Sequence, residues 1–128
     1  MKVRGIRGAI TVDANEEQQI LDATLEVLRA IVEENRVEPE DICSLFITVT
    51  QDLDATFPAR AIRQMAGWEL VPLMCSVEIP VKGGLEKCVR LMVLVNTDAS
   101  QSEIRHVYLG DARKLRPDLT ASGADVQS

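Results

Sequence analysis

A chain of 128 residues has room for one domain, and at that size roughly two-thirds of its surface is buried on folding. A net charge of −6, with no run of basic residues and few aromatics to stack bases, excludes the electrostatic footprint of a nucleic-acid binder. The 46% hydrophobic fraction comes from Val, Leu, Ile and Ala, the aromatics being only Phe46, Phe57, Trp68 and Tyr108, so an aliphatic core is expected.

Lys2 to Val12 mixes β-branched residues with Gly5 and Gly8 and reads as a first strand, the glycines marking a bulge or a close approach by backbone or ligand. Asn15 offers an N-cap with Gln18 three residues on, and Glu16 and Glu17 suit the positive end of a helix dipole. From Glu16 to Asn35, Ile20, Leu21, Leu25, Val27, Leu28, Ile31 and Val32 fall in one arc of a helical wheel, predicting a long amphipathic helix laid against a sheet. Val37 to Asp41 is a connector containing a proline, and Ile42 to Thr50 a mostly apolar strand.

Gln51 to Thr56 is polar and loop-like. Phe57-Pro58 opens a short helix with proline in its first turn, which Gly67 stops. Leu73 to Ile79 and Lys87 to Val95 read as strands on either side of a turn at Pro80 to Gly84. Ser100 to Arg105 suggests another short helix and His106 to Leu109 a last strand. The expected fold is α/β (α+β) with a mixed sheet packed against helices. One domain should span 1–119, and 120–128 has the small, polar composition of a flexible tail.

Cys43, Cys75 and Cys88 have no metal-ligand spacing and lie among aliphatic residues, as reduced cytoplasmic thiols do. The N-terminus lacks a secretory pattern and no stretch approaches the roughly 18 apolar residues of a membrane span, which argues against export and membrane insertion. A lone histidine, His106, makes a histidine-based metal site improbable, and no P-loop, dinucleotide fingerprint or Gly-x-Ser-x-Gly element occurs. No cofactor and no metal are expected.

The basic residues are ten Arg and four Lys, a bias toward the planar fork that grips carboxylates and phosphates at two points. Arg90 lies inside Cys-Val-Arg-Leu-Met-Val-Leu-Val, whose apolar neighbours on both faces predict burial on both sides. A guanidinium there needs a buried anion, either a protein acid such as Glu78 or a bound ligand. Glu78 sits in its own apolar run, where it is either paired or turned to solvent at the strand end. Arg7, between Gly5 and Gly8, is either an exposed edge-strand charge or a ligand contact approached across glycine. Arg60 and Arg63 share one side of their helix, most simply as a solvated face.

Five ordered segments carry a family resemblance: Arg-Gly-Ile-Arg-Gly-Ala at 4–9, Asp-Leu-Asp-Ala-Thr-Phe-Pro-Ala-Arg at 52–60, Gly-Gly-Leu-Glu-Lys-Cys-Val-Arg at 83–90, Ile-Arg-His-Val-Tyr-Leu at 104–109 and Leu-Arg-Pro-Asp-Leu at 115–119. Over about residues 3 to 119 the chain resembles the monofunctional AroH-class chorismate mutases. The resemblance implies a bacillus-type chorismate mutase fold, a homotrimeric pseudo-α/β-barrel with active sites between subunits, and rearrangement of chorismate to prephenate without a cofactor.

By the same resemblance Arg90 meets the ether oxygen and a carboxylate, Arg7 holds a carboxylate, and Glu78 and Cys75 bind the ring hydroxyl. Tyr108 fixes the enolpyruvyl side, Phe57 lines the pocket, and Arg63 and Arg116 add positive charge at its rim. Leu115 precedes Arg116 in the last segment. Arg60 stands where lysine is common and Met74 where threonine is common. Cys75 and Glu78 have opposite strand parity, so a bulge or strand end near Val77 is expected if both reach one ligand. Other readings are a trimeric carboxylate sensor without catalysis, a hydrolytic or deaminating enzyme of similar shape using Glu78, and a structural module with every arginine internally paired.

Overall fold

The computed structural model describes residues 1–115. Five strands, β1 (Lys2–Thr11), β2 (Ile42–Val49), β3 (Leu73–Val77), β4 (Cys88–Thr97) and β5 (Val107–Leu109), form one sheet, and the α-helices are α1 (Glu17–Asn35) and α2 (Ala59–Arg63). The sheet order is β3-β2-β4-β1-β5. β4 runs antiparallel to both β1 and β2, while β5 is parallel to β1 and β3 parallel to β2. The expected mixed α+β architecture is therefore present.

Helix α1 covers one face. Ile20, Val27, Leu28 and Ile31 on the helix and Ile6, Leu45, Ile47, Val89, Leu91 and Val93 on the strands are at most 2% exposed, the aliphatic core that composition foretold. The buried helical arc also takes in Ala23 and Thr24. Thr24 is tolerated there because its hydroxyl donates to the Ile20 carbonyl at 2.7 Å, leaving no polar atom unsatisfied. Gly8 faces this helix: a Cβ on it would lie 2.5 Å from Ile31 Cδ1, so the glycine serves close helix–strand packing.

Several local expectations are corrected. The N-cap of α1 is Glu16, whose carboxylate accepts from the backbone N–H of Gln18 and Gln19. Asn15 instead reaches the loop after β2, its Oδ1 accepting from the N–H of both Asp54 and Ala55 at 3.1 Å. The Ser100 region forms only a 3₁₀ turn, Gln101–Glu103, closed by a Ser100–Glu103 capping box. The segment between Val77 and Cys88 is no hairpin, because β2 lies between β3 and β4. Its Gly83, at φ +84, supplies a left-handed turn in a crossing loop.

Two further corrections bear on the site. β1 lies inside the sheet between β4 and β5, so Arg7 is not on an edge strand. β4 is covered along its whole length on one face only: Val89, Leu91, Val93 and Val95 are buried, whereas on the other face Cys88 is buried with Ala9, Tyr108 and Ala112 but Arg90, Met92 and Leu94 remain partly exposed. Met92 and Leu94 therefore lie on a face that the described residues leave open.

Candidate active site

The open face is organised in rows fixed by strand register. Ser76 on β3 pairs with Thr48 on β2, Thr48 with Arg90 on β4, Arg90 with Ala9 on β1, and Ala9 with Tyr108 on β5. Residues directly opposite on paired strands share a face, so this row brings Arg90 to the middle of the sheet. The adjacent row runs Met74, Phe46, Met92, Arg7. Arg7, Glu78, Arg90 and Tyr108 line one cavity of about 170 Å³ together with Phe46 and Thr48.

The position of Arg90 is set two residues upstream. Asp52 accepts from the Lys87 N–H at 3.2 and 3.0 Å, Thr50 Oγ1 donates to Asp52, and the Cys88 N–H donates to Thr50 Oγ1 at 3.0 Å. This clasp fixes the start of β4 against the end of β2. Glu78 follows the last residue of β3 and its N–H donates to the Val49 carbonyl at 2.9 Å, which turns its side chain onto the open face. There Thr48 Oγ1 donates to Glu78 Oε2.

Charge in the cavity is under-neutralised. Arg90 meets Glu78 through one contact, Nη1 to Oε1 at 3.3 Å, not the two-point fork that guanidinium and carboxylate form at best. Arg7 uses its backbone N–H to donate to His106 Nδ1 at 3.0 Å, and its guanidinium has no hydrogen bond or ion pair among the described residues. The Tyr108 hydroxyl is buried without a hydrogen-bond partner among the described residues, an arrangement rare enough in proteins to call for an occupant of the adjoining space. Two cations and an orphan hydroxyl thus face one small cavity, the arrangement a compact polyanion satisfies.

A larger cavity of about 450 Å³ adjoins it, sharing Glu78 and Arg90 and reaching Cys88, the Ile79–Glu86 loop and Leu115. Cys88 is 1% exposed, packed with Ala9, Tyr108 and Ala112. Burial pushes its thiol up to about 11, against the opposing pull of the Arg90 charge, so it stays protonated and unreactive near neutrality. Among the described residues no group of three or more His, Cys, Asp or Glu side chains stands together to hold a metal ion, and none of their helices is long and apolar enough to cross a membrane.

A match to the family model for chorismate mutase type I extends over residues 3–119. The chain belongs to the chorismate mutase type I family. It is 49% identical over 120 residues to the chorismate mutase AroH of Bacillus subtilis (strain 168), 94% of each chain being covered. It is 46% identical over 121 residues to that of Thermus thermophilus, covering 94% of this chain and 98% of the relative. A solved chorismate mutase from Clostridium thermocellum superposes with a TM-score of 0.84 at 49% identity, covering 87% of this chain and 98% of that one. The chain is accordingly a chorismate mutase, and the reading of a sensor without catalysis has no support among these relatives.

Of the residues expected at the site of this mutase, the fold brings together Arg7, Glu78, Arg90 and Tyr108, with Leu115 at the adjoining cavity. It does not bring the others to them within one chain. Phe57 is exposed. Arg60 is paired with Glu17 and receives support from Thr56, and Arg63 is exposed at the end of α2. Met74 is exposed on the open face, a row away from Arg90. Cys75 packs on the helix-side core: the β2–β3 register is regular from Leu45–Leu73 to Val49–Val77, so no bulge brings it round to Glu78. Arg116 lies outside the described residues. Thr48 and Ala9 were not anticipated. Their signal is strand parity, legible only once the partners of Arg90 are known.

Proposed function

We propose that this chorismate mutase converts chorismate to prephenate in a cleft floored by Arg7, Glu78, Arg90 and Tyr108 and completed by a neighbouring subunit of a homotrimer. The observation that carries the reading is the cavity shared by two incompletely neutralised guanidinium groups and a partnerless buried hydroxyl. Chorismate has two carboxylates and an ether bridge, and it matches that demand group for group.

In the reaction the ether carbon–oxygen bond breaks while a carbon–carbon bond forms in the same molecule, so no proton transfer or nucleophile is required. Negative charge grows on the ether oxygen. A guanidinium held at Arg90 stabilises that charge more than it stabilises the ground state, which is what lowers the barrier. Arg7 takes a carboxylate and Tyr108 the enolpyruvyl side, and together they select the folded conformer in which the reacting carbons meet. Glu78 accepts from the ring hydroxyl and keeps Arg90 aimed.

From the adjacent subunit come Phe57, Arg60, Arg63, Met74 and Cys75, and Leu115 with Arg116 closes the outer side. Support for the shared site is twofold: Phe57, Arg60, Arg63, Met74 and Cys75 do not line their own chain's cavity, and the open face with its flanking loop exposes the large apolar side chains Phe46, Met74, Ile79 and Val81, the kind of residue that marks an interaction surface where several lie together. The three unpaired thiols suit a reducing cytoplasm and a role in aromatic amino acid biosynthesis. The test adds chorismate to purified protein and follows loss of its ultraviolet absorbance. Arg90→Ala should lower turnover at least about a hundredfold, and unchanged turnover would discard the assignment. Light scattering should give three times the chain mass.

A further inference from the structure

Resting on the site reading above, we infer that Thr48 is a positioning residue for the rearrangement, holding the Glu78–Arg90 pair open so that the guanidinium keeps charge for the substrate. β2 is the strand between the one that leads into Glu78 and the one that carries Arg90, and Thr48 is the residue of β2 directly opposite Arg90. Its hydroxyl donates to Glu78 Oε2. The other oxygen, Oε1, is then the only one left to face Arg90, and it does so through the single 3.3 Å contact.

Two-point pairing between carboxylate and guanidinium is the stronger alternative. Glu78 has freedom to adopt it, because it lies beyond the last residue of β3, where among the described residues its backbone is tied only by the bond from its N–H to the Val49 carbonyl. Without the Thr48 hydroxyl, Oε2 loses the donor that holds it away from the guanidinium, so the carboxylate rotates and closes on Arg90 with both oxygens. A guanidinium neutralised in that way offers less to a developing negative charge, which weakens the transition state more than the ground state.

The experiment compares steady-state chorismate turnover and melting temperature for wild type, Thr48→Val and Thr48→Ser, with Thr48→Val repeated in a Glu78→Ala background. Valine keeps the β-branched shape and removes the hydroxyl. It should lower kcat by about ten- to a hundredfold, the range of one hydrogen bond to a charged group, with KM changed less than about threefold and the melting temperature kept or raised. Serine should restore kcat to within about threefold of wild type. In the Glu78→Ala background Thr48→Val should cost nothing further, since the partner it positions is gone. Wild-type kcat in Thr48→Val, equal loss in the serine and valine variants, or a full additional loss without Glu78 would each overturn the inference. A silent Thr48→Val beside a crippled Arg90→Ala sinks this inference alone, whereas full turnover in Arg90→Ala sinks the site reading with it.

Discussion

The two faces of the sheet are made by alternate residues of the same strands and have opposite properties. Against α1, the strands present Ile6, Leu45, Ile47, Val89, Leu91 and Val93, all essentially inaccessible. On the other face the same strands present Arg7, Thr48, Arg90 and Met92, partly exposed and with charge only loosely compensated. Period-two alternation therefore separates what holds the chain together from the residues proposed to act on the substrate. One face can be altered for chemistry at little cost to the fold, and the other cannot.

The largest expected effects are a crossed pair. Arg90→Ala should cost at least about a hundredfold in turnover, with Arg90→Lys intermediate because it keeps charge but loses the planar fork. The midpoint of denaturant unfolding should stay near wild type, as the pair it breaks is single-point and partly exposed. Ile47→Ala, one residue from Thr48 on the same strand, should do the reverse, losing about 2–5 kcal/mol of stability through transfer and cavity terms. If both variants fell on both measures alike, the division between faces would be broken.

Cys88 tests the one place where the open face is closed within the subunit. Its thiol is raised from an unfolded value of 9.0 to about 11, so the folded chain holds that proton over a range in which the unfolded chain releases it. Its contribution is complete below pH 9 and disappears as pH rises toward 11, a loss of about 3 kcal/mol at most. Unfolding midpoints followed across that window should fall less steeply in Cys88→Ala than in wild type. Parallel slopes would show that the cluster of Ala9, Cys88, Tyr108 and Ala112 admits solvent.

Gly8→Ala sharpens the boundary between the faces. The added carbon would lie 2.5 Å from Ile31 Cδ1 and 3.0 Å from Val27 Cγ2, both in a closed core, and overpacking of this kind typically costs about 1–3 kcal/mol. A stability equal to wild type would mean that α1 stands off the sheet more easily than its packing indicates.

These contrasts also explain what could be read in the sequence. The strands and α1 were legible because apolar spacing at periods of 2 and 3.6 is a local property. Strand order was not, since Pro80 to Gly84 has the composition of a hairpin turn while the loop actually crosses β2, a long-range pairing with no local signature. Arg90, Glu78 and Arg7 stood out as charges in apolar runs, and the resemblance supplied Tyr108. Arg90 is less buried than its apolar neighbours imply, because Met92 and Leu94 beside it are themselves left partly exposed on that face. Thr48 and Ala9 were invisible because nothing is unusual about a threonine or an alanine in a strand until register sets it beside an arginine.

Making one substitution on both faces gives the smallest expected effect and the finest comparison. Thr24 is wholly buried on α1 and its hydroxyl donates to the Ile20 carbonyl, an oxygen that the helix ladder already engages. Thr24→Val keeps the volume and removes a donor whose loss leaves no buried group unsatisfied, so stability should change by about 1 kcal/mol or less, with turnover unaltered. Thr48→Val removes the same atoms from a hydroxyl whose partner is the carboxylate paired with Arg90, and there turnover should fall while stability holds. Measured side by side, unfolding midpoint and kcat for the two variants isolate what the hydroxyl's partner contributes, because size, branching and side-chain chemistry are identical in both.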